Sequence, residues 1–377
     1  MPEVSVVMPS LNEERIIGRC IEKIKKVFNE NHISGEIIVA DNSTDKTAEI
    51  ARSLGATVIT PEKKGYGNAY LAGLQYAKGD FIVIADSDGT YDLLEMPKFL
   101  ESLIKGDADF VMGNRLGGEI LKKAMPWHHR YIGNPILTKI LNWLFKIGIS
   151  DTHCGMRAFT KAAYEKMNLR TGGMEFASEM IVEAARKNLR MKEVPITYYP
   201  RITPSKLHSF SDGWRHLRFM MLYRPVPFLF VPGVLVFLLG ALLSLTILIQ
   251  GDVGTNHLHS LIFGSIFTII GFQTIATGIY MKAYAVVHGL CEREGFIEKL
   301  LDYHSLEKEL ILGAALLLLG LALGIKVLLT WVSLGFGSLS EIENAVIAMV
   351  LAAVGIQVIF TAIFLSVLLL EEGEGEG

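Results

Sequence analysis

The sequence predicts an α/β domain with a mostly parallel sheet, followed by an all-α membrane domain of about four helices. Three observations lead there. Short β-branched runs alternate with helix-period segments between Val4 and Met112, the pattern of a parallel sheet covered on both faces. Most of those runs end on polar residues (Asn12 and Glu13, Asp41, Asp86 and Asp88, Asn114 and Arg115), where open α/β sheets bind ligands. After Pro225 the chain turns into long apolar runs with few charges, which lifts its mean hydropathy to +0.36.

In chain order, strands are expected at residues 4–8, 36–40, 57–60, 81–85 and 109–112. Between them, residues 13–30 place Ile16, Ile17, Ile21, Ile24 and Phe28 on one helical face. Further helices are expected at 43–54, 67–78 and 96–104. Residues 131–147 form an unusually apolar helix, either buried or lying on a bilayer. At 205–224, Phe210, Trp214, Leu217 and Met221 make a stripe flanked by Lys206, Arg215 and Arg218, the pattern of an interfacial amphipathic helix. Runs at 228–249, 258–280, 310–331 and 345–370 are long enough to cross about 30 Å of hydrocarbon. Lys282 and Lys326 lie near their expected ends, where snorkelling accounts for them. The domain boundaries are therefore 1–204, a juxtamembrane helix at 205–226, a transmembrane domain at 227–370 and a disordered tail at 371–377.

The loops at 250–257 and 332–344 carry no Lys or Arg, whereas Arg215, Arg218, Arg224, Arg293, Lys299 and Lys308 flank the other membrane face. The positive-inside rule then predicts a multi-pass cell-membrane protein with its first domain cytosolic. No cleaved signal peptide is expected. A net charge of −3 gives no basic signature for nucleic acid. The 3 cysteines have neither zinc nor disulfide spacing.

Asp86-Ser87-Asp88 directly follows an apolar run. Two carboxylates at a strand end can share a hard divalent ion, Mg²⁺ or Mn²⁺, with phosphate oxygens. Asp41, also at a strand end, can accept a hydrogen bond from a nucleobase, while Ser43 to Asp45 read as a helix cap. Lys64-Gly65-Tyr66-Gly67-Asn68 is a Gly-rich turn before a helix, without the Lys-Ser/Thr of a nucleotide-triphosphate loop.

Taken in order, Pro9-Ser10-Leu11-Asn12-Glu13, Asp41, Asp86-Ser87-Asp88 and Gly113-Asn114-Arg115 resemble family-2 inverting glycosyltransferases of GT-A fold. Within them the chain looks most like the polyprenyl-phosphate sugar synthases, of the dolichyl-phosphate mannose synthase type. The resemblance implies a Rossmann-like nucleotide-sugar domain. Its donor site would comprise Pro9, Leu11, Glu13, Asp41, Asp86, Ser87 and Asp88, its catalytic residues Asp86 and Asp88, and its metal ligands Asp88, Asp86 and Thr90. Acceptor contacts would come from Arg115, Arg130, Asn134, Arg201, Ser205 and Lys206. Leu11 stands where relatives commonly have Tyr, Asn42 where they have a second acid, Thr90 where they have Gln, and Glu175 where they often have Lys. Processive synthases carry Gln-x-x-Arg-Trp, which this chain lacks.

The resemblance implies transfer of a single hexose from GDP-mannose or UDP-glucose to dolichyl or another polyprenyl phosphate. A silent nucleotide-sugar-binding scaffold and transfer to a different lipid are the alternatives. The partners are a nucleotide sugar, the lipid phosphate and the bilayer, and the spans leave room for a homo-oligomer.

Overall fold

The computed structural model describes residues 2–203, 209–250, 257–290, 303–337 and 341–373. Ser205, Lys206 and residues 374–377 lie outside them. The chain divides into two compact units, Met1–Phe219 and Met220–Gly377.

In the first unit, β1 (Val4–Ser10), β2 (Gly35–Asp41), β3 (Thr57–Ile59), β4 (Phe81–Ile84), β5 (Phe110–Asn114), β6 (Arg157–Thr160) and β7 (Met191–Pro195) form one sheet. Its order is β3-β2-β1-β4-β6-β5-β7. Strand β6 runs antiparallel to β4 and β5, and the other pairings are parallel. Strands β1 and β4 are almost wholly buried, as expected of a sheet covered on both faces. Helix α1 (Ile17–Glu30) buries Ile17, Ile21, Ile24 and Phe28, one apolar stripe at helical spacing. Helices α2 (Thr47–Ser53), α3 (Tyr66–Leu74) and α4 (Met96–Ile104) complete the predicted alternation.

The five expected strands are present, and two more join them. Strand β6 opens on Arg157, which is 1% exposed. Its guanidinium donates to the carbonyls of Cys154 (2.9 Å), Ala177 (2.7 Å) and Thr152 (3.1 Å). A cation at a strand start reads as surface until those tertiary acceptors are known. Strand β7 carries Lys192 and Glu193, which mask its apolar alternation. Between these strands lie α6 (Lys161–Met167) and α7 (Phe176–Arg186). Helix α1 begins four residues later than the apolar pattern suggests, because Asn12 adopts a left-handed φ of 53° and residues 12–14 bond to the loop after β2.

The apolar segment before β6 forms α5 (Asn134–Phe145), entered through a wide turn at His129–Gly133. It buries Thr138 and Leu141 but exposes Tyr131, Ile132, Ile136 and Trp143. Helix α8 (Ser209–Tyr223) buries His216 and Phe219 and exposes Phe210 (91%) and Trp214. Of the expected apolar stripe, Phe210 and Trp214 are thus outward, while Leu217 and Met221 are half-buried. Ser178 and His216 Nδ1 are hydrogen-bonded at 2.8 Å.

The second unit contains four helices long and apolar enough to cross a membrane: α9 (Val231–Gln250), α10 (Leu258–Val287), α11 (Tyr303–Ser333) and α12 (Ile342–Gly373). They pack chiefly as α9 with α10 and α11 with α12. A Cβ on Gly240 would collide with the Gly264 carbonyl, and one on Gly355 with the Gly313 carbonyl. Close backbone approach through small residues is how helices associate where lipid removes the hydrophobic drive. Lys282 is 5% exposed inside this unit, with α10 running on to Val287, so it does not snorkel from a helix end. Helix α12 also continues to Gly373, into the expected tail.

Candidate active site

The parallel register sets the site. Ser10 lies opposite Asp41, so β1 and β2 end flush. Val7 lies opposite Ile84, which brings the residues after β4 to the same level. The carboxyl ends of β1, β2 and β4 thus meet where the sheet order departs in both directions from β1, a topological switch point.

Two loops there are stitched together. The Asn12 amide N–H donates to Ser43 Oγ (2.6 Å), and Asn12 Oδ1 accepts from the Thr44 amide (2.9 Å). The Glu13 amide donates to Thr47 Oγ1 (2.9 Å). Asp41 is 4% exposed and accepts from the hydroxyl and amide of Ser43. Burial pushes its carboxyl above the ordinary range, with those Ser43 bonds opposing. Leu11 is exposed on the same loop. The Pro9 carbonyl accepts from Ser87 Oγ (2.7 Å), tying β1 to the acidic turn after β4.

Asp86 lies between two tyrosines and a glycine. Tyr66 donates to its Oδ1 at 3.0 Å and Tyr70 at 3.3 Å. On its other side a Cβ on Gly155 would collide with Oδ2. Burial, and next the Asp88 charge, push the Asp86 carboxyl up to about 6. Asp88 Oδ1 accepts from the Thr90 amide (3.0 Å) and hydroxyl (2.6 Å). Asp88 Oδ2 faces Arg201 Nε at 3.3 Å, and Arg201 Nη2 reaches Glu13 Oε1 at 3.1 Å. Thr203 Oγ1 donates to Glu13 Oε2 (2.8 Å).

The donor set suits a hard divalent ion. It consists of carboxylate oxygens, those of Asp86 and Asp88 standing two residues apart on the turn after β4. Among the described residues no three His, Cys, Asp or Glu gather as a closed cage. Such an ion would keep positions for water and phosphate.

The expected acceptor residues differ in their surroundings. Arg115 is 6% exposed and bidentate with Asp151, at 2.7 Å from Nε and 2.8 Å from Nη2. Burial would raise the Asp151 carboxyl, but Arg115's charge and hydrogen bonds outweigh that and hold it below the ordinary range. The geometry thus gives Arg115 a fixed internal partner instead of an acceptor. Arg130 is half-buried, its guanidinium 5.4 Å from the Tyr131 ring centroid. Asn134 Nδ2 lies 3.7 Å from Met125 Sδ. Arg201 sits among the donor-side acids. The Thr90 hydroxyl is turned to Asp88. Ser205 and Lys206 lie outside the described residues.

Sequence reasoning passed over Tyr70 and gave Tyr66 no more than a place in the Gly-rich turn. A signal for the tyrosines existed: they stand four residues apart, on one face of a helix opening at the Gly-rich turn. Gly155 and Arg157 stand in a polar turn at 151–157 that resembles a family segment beneath the active site, which implies a structural role; the contact of Gly155 with Asp86, far back in the chain, is what the fold adds.

Comparison with known proteins gives the family. The glycosyl transferase family 2 model matches residues 5–167, and that of the glycosyltransferase family 2 C-terminal transmembrane region matches residues 279–369. The chain is 43% identical over 369 residues to the low-salt glycan biosynthesis hexosyltransferase Agl6 of Haloferax volcanii, spanning 97% of this chain and 88% of that protein. It is 33% identical over 213 residues to the dolichyl-phosphate hexose transferase of the same organism, spanning 56% of this chain and 89% of that protein. Mannosyl-3-phosphoglycerate synthase from Rubrobacter xylanophilus shares the fold, with TM-score 0.50 and 18% identity over 60% of this chain and 74% of that one.

Proposed function

The chain belongs to glycosyltransferase family 2 and is a membrane-bound glycosyltransferase; on that premise we propose that it transfers one hexose from a nucleotide sugar, GDP-mannose or UDP-glucose, to dolichyl or another polyprenyl phosphate at the cytosolic membrane face. The observation behind this reading is the gathering of Glu13, Asp41, Asp86 and Asp88 at the carboxyl ends of neighbouring strands β1, β2 and β4.

In this reading Asp41 accepts a base N–H, which uracil and guanine both offer. Asp86 and Asp88 face the sugar diphosphate. A divalent ion, Mg²⁺ or Mn²⁺, held by Asp88 and Asp86 would supply positive charge to the departing nucleoside diphosphate. The acceptor needs no protein base, because a phosphate monoester with a second pKa of about 6 is largely dianionic at neutral pH. Its oxygen attacks the anomeric carbon opposite the leaving group, with inversion. The protein's task is to place two anions together and exclude water. Arg130, half-buried with a planar guanidinium, is the acceptor contact this geometry favours over Arg115. Exposed Trp127, Tyr131, Trp143 and Trp214 suit the headgroup layer that holds a lipid phosphate.

The test is a panel of UDP- and GDP-sugars offered with dolichyl phosphate, the product read by mass spectrometry. A single lipid-linked hexose from one donor supports the reading. Nucleotide-sugar binding without any lipid product overturns it in favour of a scaffold.

A further inference from the structure

We propose that Arg201 and the divalent cation compete for Asp88, so that cation binding dislodges Arg201 from the acidic cluster. The inference rests on the reading of Asp88 as a cation ligand and deepens it.

The two oxygens of Asp88 are unequal. Oδ1 is held by the amide and hydroxyl of Thr90, at 3.0 and 2.6 Å. That leaves Oδ2 as the oxygen open to a cation, and it is the one facing Arg201 Nε at 3.3 Å. A hard ion such as Mg²⁺ binds a carboxylate oxygen at about 2.0–2.1 Å. A guanidinium on that same oxygen then stands a few ångströms from a doubly charged ion. The side chains of Asp88 and Glu13 are only 9% and 3% exposed, so little water screens the repulsion.

Geometry also makes Arg201 the partner that yields. It gives one nitrogen to each of two acids, Nε to Asp88 and Nη2 to Glu13. It lacks the parallel two-nitrogen grip that Arg115 has on Asp151. At 22% exposure it is the least buried of the three groups. Glu13 keeps a donor when Arg201 leaves, because Thr203 Oγ1 bonds its second oxygen. Asp88 exchanges a single charge for a double one.

Competition is reciprocal, so removing Arg201 must tighten cation binding. The measurement is Mn²⁺ titration of the full chain in detergent micelles, without nucleotide, with free ion read by electron paramagnetic resonance. Arg201→Ala should lower the Mn²⁺ Kd by about fivefold or more, and Arg201→Lys by less. A merely structural arginine predicts the opposite sign, since its loss would loosen the site. In the wild-type protein, Mn²⁺ should speed phenylglyoxal modification of Arg201, read by peptide mass spectrometry. This second readout stands even where Arg201→Ala misfolds. Unchanged or weaker Mn²⁺ binding by a folded Arg201→Ala overturns the inference, as does Arg201 labelling indifferent to saturating Mn²⁺. Absence of saturable Mn²⁺ binding in every protein, alone and with UDP or GDP, overturns the metal reading as well.

Discussion

Among the acid–arginine groupings of the first unit, two are balanced differently. In one, buried Arg115 and Asp151 match charge for charge and nitrogen for oxygen. In the other, Glu13, Asp86 and Asp88 share the single charge of Arg201. The carboxyls record the contrast: Asp151 is held below the ordinary range and Asp86 is pushed up to about 6. A matched buried pair holds a turn in place. A cluster with surplus negative charge is poised for a cationic ligand, and the fold carries that crowding as a cost.

The contrast can be broken most directly through activity. Asp88→Ala should lower hexose transfer by about a thousandfold while leaving the unfolding temperature within a few degrees; sustained turnover would remove the acidic cluster from the chemistry. Next in size, Asp151→Ala should destabilise the protein by about 3–5 kcal/mol, because it strands a buried guanidinium. Thermal unfolding checks this. Normal stability with a raised acceptor KM would return Arg115 to the acceptor site.

A smaller effect of opposite sign is expected at Asp86. Folding raises its carboxyl from 3.8 to about 6. Between those values the native state holds a proton that the unfolded chain has lost. Its stability therefore rises as pH falls through about 6 toward 4. Asp86→Asn should then raise the unfolding temperature by a few degrees at pH 7.5 in chelator, and the gain should fall to about half at pH 5 and vanish only below about pH 4. A variant less stable than wild type at both pH values would place Asp86 with the matched pair. Smallest of all, Tyr66→Phe deletes one donor to Asp86. It should move the acidic limb of the pH–rate profile upward by about half a unit.

Much of this was legible in sequence because it is periodic or sits at strand ends. The alternation through Met112, the four apolar spans and the acids Asp41, Asp86 and Asp88 are local patterns. The residues that complete the acidic cluster are not. Arg201 reaches Glu13 across 188 positions, and Gly155 lies in a turn legible as polar, while its contact with Asp86 is not local. Arg157 is harder still, because a charged residue in a strand becomes intelligible only with its three carbonyl acceptors. Arg115 shows the reverse case, an internal partner that its sequence gives no sign of. A strand-end arginine looks available for ligand until the chain supplies its own carboxylate.

The reversed strand β6 has a kinetic consequence. A parallel strand offers this end of the sheet the loop that follows it, whereas β6 offers the loop that precedes it, and so Gly155 arrives beside Asp86. Strand β4 therefore waits for a neighbour more than seventy residues downstream, Phe81 pairing with Thr160. On the ribosome, where N-terminal segments emerge first, β1, β2 and β4 can pair early, but the acidic cluster acquires its last wall only after Thr160 is synthesised. Arg201, later still, follows just before the first membrane span leaves the tunnel. Completion of the site and delivery of the chain to the bilayer are thus nearly simultaneous events in its synthesis.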